Sequence, residues 1–118
     1  MSEFFDVYGA GDLPDGTMKK IFLDGREVLL ARAGDRYFAA DNHCPHMGGD
    51  LSSGTLHATI VTCPLHHSQF DLADGHVVRW TDWTGIKLSS AKLLKAPRPL
   101  KIHEVKLEKE RIYIKLRE

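Results

Sequence analysis

The chain holds two cysteines, and each falls in a short cluster with a histidine: Cys44-Pro45-His46 and Cys63-Pro64-Leu65-His66. Together they read C-x-H-x16-C-x2-H, one sulfur and one imidazole donor supplied twice in the same order. Thiolates favour zinc, Cu(I) and iron-sulfur clusters, whereas imidazole serves zinc and iron alike. A shared metal centre constrains the fold strongly, because two loops distant in sequence must meet at one point. A zinc finger groups its two Cys in one loop and its two His in another; here each loop supplies one of each. The mixed pairing suits two irons, each clamped from both loops, better than one zinc.

Around these clusters the pattern is that of strands. Residues 5–8 read as a first strand, and residues 17–23 and 26–32 are β-prone runs separated by Asp24-Gly25, a dipeptide suited to a two-residue hairpin turn. Gly34-Asp35 turns the chain into residues 36–40, and near the end residues 102–107 and 111–116 alternate apolar with polar around a loop at Glu108-Lys109-Glu110. Such alternation predicts half-buried antiparallel strands. Between Ala40 and about Trp80 the periodicity gives way to Gly, Pro, Cys and His, save for residues 59–62, a strand leading into Cys63. The prediction is an all-β antiparallel β-sandwich over 1–118, a single domain with a small inserted cluster-binding subdomain at about 41–80.

The chain resembles the Rieske 2Fe-2S family in the stretch Asp41-Asn42-His43-Cys44-Pro45-His46-Met47-Gly48-Gly49, then Leu51-Ser52-Ser53-Gly54, Thr62-Cys63-Pro64-Leu65-His66 and Phe70-Asp71. Pro97-Arg98-Pro99-Leu100 is similar to the segment that returns a small Rieske ferredoxin to its body. The resemblance implies one Rieske 2Fe-2S cluster, with Cys44 and Cys63 on one iron and His46 and His66 on the other. It also implies a one-electron carrier between a flavin-dependent reductase and a terminal oxygenase, either a ring-hydroxylating dioxygenase or a related monooxygenase. The small subunit of an assimilatory nitrite reductase shares the fold, although many such subunits lack the four ligands. A zinc-stabilised binding module is the alternative of another class.

Composition agrees with a carrier. One domain of 118 residues, 42% hydrophobic and 27% charged, buries a core without disulfides. No apolar run reaches the roughly 18 residues of a membrane span, and the first residues lack the basic and apolar regions of a secretory signal. A soluble, cytoplasmic monomer is expected. Residues 1–59 carry nine acids against five bases, and the balance reverses in the second half, so the neutral chain is charge-polarised along its length. A dipolar surface orients partners if folding preserves it. Nucleic acid is excluded as a partner by the lack of a basic run interleaved with aromatics. There is no nucleophilic triad context, phosphate-binding loop or second site of two His and a carboxylate, so the chain reads as an electron-transfer component and not as an enzyme.

The remaining residues refine this picture. His57, His76 and His103 are expected to be solvated, and His43 to shape the loop before Cys44. Gly48 and Gly49 are expected to bring backbone N–H groups close to the cluster, with Pro45 and Pro64 stiffening each loop. By resemblance, Leu65 and a residue near Met47 or Gly48 stand where high-potential respiratory Rieske proteins carry an extra Cys pair. Ser68 keeps a hydroxyl position, Phe70 replaces a tyrosine, and His67 stands where many relatives have Gly. Residues 80–96, with Trp80, Trp83, Lys87, Lys92 and Lys95, are assigned to covering the core or, alternatively, to docking; Ser89 or Ser90 is placed to cap a short helix there.

Two ferric ions, two sulfides and two thiolates sum to no net charge, whereas four thiolates would leave two negative charges. Rieske centres therefore lie at roughly −150 to +300 mV, against about −400 mV for plant-type ferredoxins. The departures noted above place this chain in the low to middle part of that span. Replacing His66 with Cys should lower the potential of the assembled cluster, measured by redox titration; an unchanged potential would remove His66 from the ligand set.

Overall fold

The computed structural model describes residues 4–45, 48–65, 67–79 and 98–117. Two antiparallel sheets carry ten strands among these residues. Six strands, β1 (Phe4–Gly9), β2 (Met18–Leu23), β3 (Arg26–Ala33), β4 (Arg36–Asp41), β9 (Ile102–Glu108) and β10 (Arg111–Lys115), form one sheet in the order β1-β10-β9-β4-β3-β2. The other four, β5 (Thr55–His57), β6 (Ile60–Thr62), β7 (Gln69–Asp71) and β8 (Val77–Arg79), form a smaller sheet in chain order. The small sheet is thus spliced between β4 and β9, as an insertion within the sandwich predicts.

β3 explains how the two parts share a core. Its run Val28-Leu29-Leu30-Ala31 is buried on both faces, because β3 pairs with β2 and β4 while apolar layers cover it from either side. Leu29 and Ala31 join Phe38, Ala40, Leu51, Val61, Phe70 and Leu72 in a layer shared with the small sheet. Val28 and Leu30 point the other way, onto Ile112, Ile114 and Leu13. Full burial of each large side chain stabilises by roughly 1.5–3 kcal/mol, so β3 is the strand where truncation harms both layers. Phe70 is fully buried opposite Val61, a position where a bare ring packs without needing a partner for a hydroxyl.

The turns follow their residues. Asp24 and Gly25 have φ of 51° and 76° and close β2–β3 as the Asp-Gly pair predicts. Lys109 and Glu110 join β9 to β10 with φ of 51° and 64°, both in the left-handed region although neither is glycine. The three short strands β5, β7 and β8 did not show in the sequence pattern, since three residues are too few for an alternation to register. Pairing also places the two charge-polarised halves side by side: β1 lies against β10, and Arg111 binds Asp6 at 2.8 Å.

One histidine contradicts its expectation. His103 is not solvated but 2% exposed, because β9 is enclosed between β4 and β10 and His103 stands opposite Ala39. Its Nδ1 accepts the Arg117 backbone N–H at 2.9 Å, so the ring proton sits on Nε2 and is donated to Asp41 Oδ1 at 2.9 Å. His57 and His76 are exposed as expected. Burial raises the Asp41 pKa, but the hydrogen bond from His103, with the charges of Arg26 and Lys101, turns the net shift downward.

A left-handed L-residue costs about 1–2 kcal/mol, and the extra freedom of an unfolded glycine returns about 0.4–1 kcal/mol of that. Glu110→Gly should therefore stabilise the fold by about 0.5 kcal/mol in urea unfolding; a loss of stability would show that the turn does not hold this geometry.

Candidate metal centre

The two sulfur-bearing loops are closed by the same device. The Cys44 N–H donates to the Gly49 carbonyl at 2.9 Å, and the Cys63 N–H donates to the Ser68 carbonyl at 2.8 Å, in each case five residues ahead. Each cysteine therefore opens a tight loop that a main-chain bond shuts behind the histidine of its motif. The first loop follows β4, and the second is the connection between β6 and β7. Cys44 and Cys63 are 2% and 1% exposed, and neither is in a disulfide. His46 and His66 lie outside the described residues, as do Met47 and the whole segment 80–97 with its Trp, Lys and Ser residues. Among the described residues no cluster of three metal-ligating side chains occurs.

Two glycines bring the loops together. A Cβ on Gly49 would stand 2.6 Å from the Cys63 sulfur and 3.1 Å from Leu65 Cδ1, so only a hydrogen fits between the first loop and the second thiol. Gly54 lies so close to the Thr62 carbonyl that a side chain there would overlap it. Gly48 shapes the first loop: its N–H is donated to the Cys44 carbonyl at 2.7 Å, and its φ of 74° is what the turn demands. Two buried, reduced sulfurs on loops joined through Gly49 fit the thiolate end of a two-iron cluster.

The base of the first loop is clamped by Asn42 and Asp50. Asn42 is fully buried; its Nδ2 donates to Asp50 Oδ1 at 2.7 Å, its Oδ1 accepts the Ser52 N–H at 2.9 Å, and its carbonyl accepts the Leu51 N–H at 2.9 Å. Asp50 also accepts the Ser52 hydroxyl at 2.6 Å and Lys20 Nζ at 3.3 Å. Hydrogen bonds from Ser52 hold the Asp50 carboxylate well below the usual range against the opposing effect of partial burial, and Asn42 and Lys20 reinforce them. This pair was not singled out in the sequence, although Asp50 two residues before Ser52 is an ordinary capping signal. His43 is exposed, pairs its backbone with Asp50 and lies 3.4 Å from Glu27, which agrees with a loop-shaping role. His67 is exposed with φ of 59°, a left-handed conformation that favours glycine over histidine. Ser68 is fully buried.

The model of the Rieske [2Fe-2S] domain matches residues 3–90. The chain belongs to the Rieske [2Fe-2S] domain family. It is 28% identical to the ferredoxin component of the naphthalene 1,2-dioxygenase/salicylate 5-hydroxylase systems of Ralstonia sp, over 96% of this chain and 95% of that one. It is 32% identical to the ferredoxin component of biphenyl 2,3-dioxygenase of Rhodococcus jostii (strain RHA1), over 93% and 90%. The ferredoxin of carbazole 1,9a-dioxygenase from Nocardioides aromaticivorans IC177 superposes with a TM-score of 0.78 at 26% identity, covering 96% of this chain and 97% of that one. The cofactor of this Rieske domain is one 2Fe-2S cluster. Among the described residues no helix is long and apolar enough to cross a membrane.

Because Gly49 has no room for a methyl group, Gly49→Ala should cut the iron content of purified protein several-fold while leaving the far-UV circular dichroism of the sheets unchanged. Full iron loading would show that the loops part freely.

Proposed function

We propose that this chain is a Rieske-type ferredoxin, a one-electron carrier that takes electrons from a flavin-dependent reductase and delivers them to a terminal oxygenase. Cys44 and Cys63 hold one iron, and His46 and His66 hold the other. The observation that carries this reading is the pair of matched loops, each shut by its own cysteine amide and each presenting a buried thiol. The 2Fe-2S cluster supplies reversible one-electron chemistry when bound. The protein's part is to grip it rigidly and to keep its sulfur end dry. Main-chain closure at both cysteines, the prolines after them and the Asn42–Asp50 clamp leave little to rearrange when charge changes, which favours fast transfer. The chain works as a single domain whose loop-bearing part spans about 41–80, in the cytoplasm, and has no substrate chemistry of its own. Relatives named as ferredoxin components of dioxygenase systems support an oxygenase as the acceptor.

Anaerobically purified protein should be coloured, contain two irons and two acid-labile sulfides, and give a rhombic EPR signal on reduction. In stopped flow the reduced protein should be reoxidised by a cognate oxygenase in one-electron steps. Colourless, zinc-loaded protein free of inorganic sulfide would overturn the proposal.

A further inference from the structure

Two arginines outside the C-x-H and C-x2-H clusters grip the loops beside their histidines. Arg79, the last residue of β8, donates from both Nε and Nη2 to the His67 carbonyl, at 3.1 and 3.0 Å. Arg98, on the segment leading to β9, donates from Nη2 to the Pro45 carbonyl at 3.3 Å. His67 follows His66 in the chain, and Pro45 precedes His46. The cysteine ends of the loops, by contrast, are closed by main-chain bonds.

We propose that Arg79 and Arg98 are positioning residues for the histidine ends of the two loops, and that their charges help set how readily the centre accepts an electron. The inference rests on the reading above that His46 and His66 are ligands. Both arginines are exposed, and immobilising a long exposed side chain costs conformational entropy while surface charge contacts contribute little stability. Stability alone is therefore a poor account of two guanidinium groups tethered to main-chain oxygens. A carbonyl is neutral, so each tether leaves the arginine charge uncompensated by that contact. The fork of Arg79 fixes one carbonyl with two N–H groups, at a residue whose φ of 59° is otherwise unfavourable. Reduction adds a negative charge to the centre, and a nearby fixed cation favours the reduced form. Exposure makes that effect modest and sensitive to salt.

The test uses the full chain loaded with its cluster. Iron and acid-labile sulfide are measured first, then the equilibrium with a one-electron redox dye, in low and high salt. Arg79→Gln and Arg98→Gln should each shift that equilibrium two- to fivefold toward the oxidised protein. The double Gln variant should approach tenfold, about 59 mV for one electron. A double Lys variant should recover most of the shift in low salt, and parent and Gln variants should converge in high salt. A double Gln variant with full iron and sulfide at the parent equilibrium overturns the proposal, as does a Lys pair no better than the Gln pair. If the double variant fails to fold, the single variants decide by the same criterion. A parent without iron and sulfide would instead refute the carrier reading itself, so the two failures are distinguishable.

Discussion

The closure of each loop by its own cysteine amide is the contact on which the centre depends. A thiol can hold a metal rigidly only if its backbone cannot swing. The Cys44 and Cys63 amides donate to carbonyls five residues on, and this converts two irregular segments into two similar cups. Gly49 then lets the cups touch, since its missing side chain is the space that the Cys63 sulfur fills. The buried sulfurs follow from the same geometry. They sit in the layer between the sheets, among Leu51, Val61, Phe70 and Leu100.

Around this junction the protein uses polar groups where backbone has to be held outside regular sheet. Asn42 ties β4 to the far limb of the first loop, and Asp50 is kept ionised by donors that converge on it. One step further out, His103 and Arg26 fasten Asp41, the last residue of β4, to the C-terminal end of the chain. Asn42 and His103, the buried members of this cluster, are stable there because the half-buried groups around them satisfy them; burial of either without partners would be costly. The first loop is thus anchored to both the sheet and the chain end, while the second is carried by the β6–β7 hairpin and held from β8 by Arg79.

The outer strands were legible because they are long enough for alternation to show, and the Asp24-Gly25 turn because its residues demand one conformation. The two cysteines were legible as a pair because Cys and His in that order have few other uses, and the structure buries both and closes both loops alike; His46 and His66 lie outside the described residues. Three things were not. Strands of three residues carry no period, so β5, β7 and β8 emerged only from their pairing, whereas β6, equally short, stood out by its run of β-branched residues. His103 was misread as solvated because its segment looked half-exposed, and the enclosing strand β4 is more than sixty residues away in the chain. The bond from the Gly48 N–H to the Cys44 carbonyl, four residues back, had no signal in the sequence beyond the glycine itself.

By itself, the order of residues determined which thiol and imidazole side chains the chain carries, how far apart they stand along it, and the all-β character of the body, since these follow from side-chain chemistry and short-range periodicity. Only the tertiary structure decided that the two loops are each closed by the same kind of main-chain bond, that Gly49 and not Gly48 is the point of closest approach, and that Arg79 and Arg98 reach the carbonyls beside His66 and His46. Those contacts join residues from separate elements. Their distances depend on how two sheets pack, which no local pattern encodes.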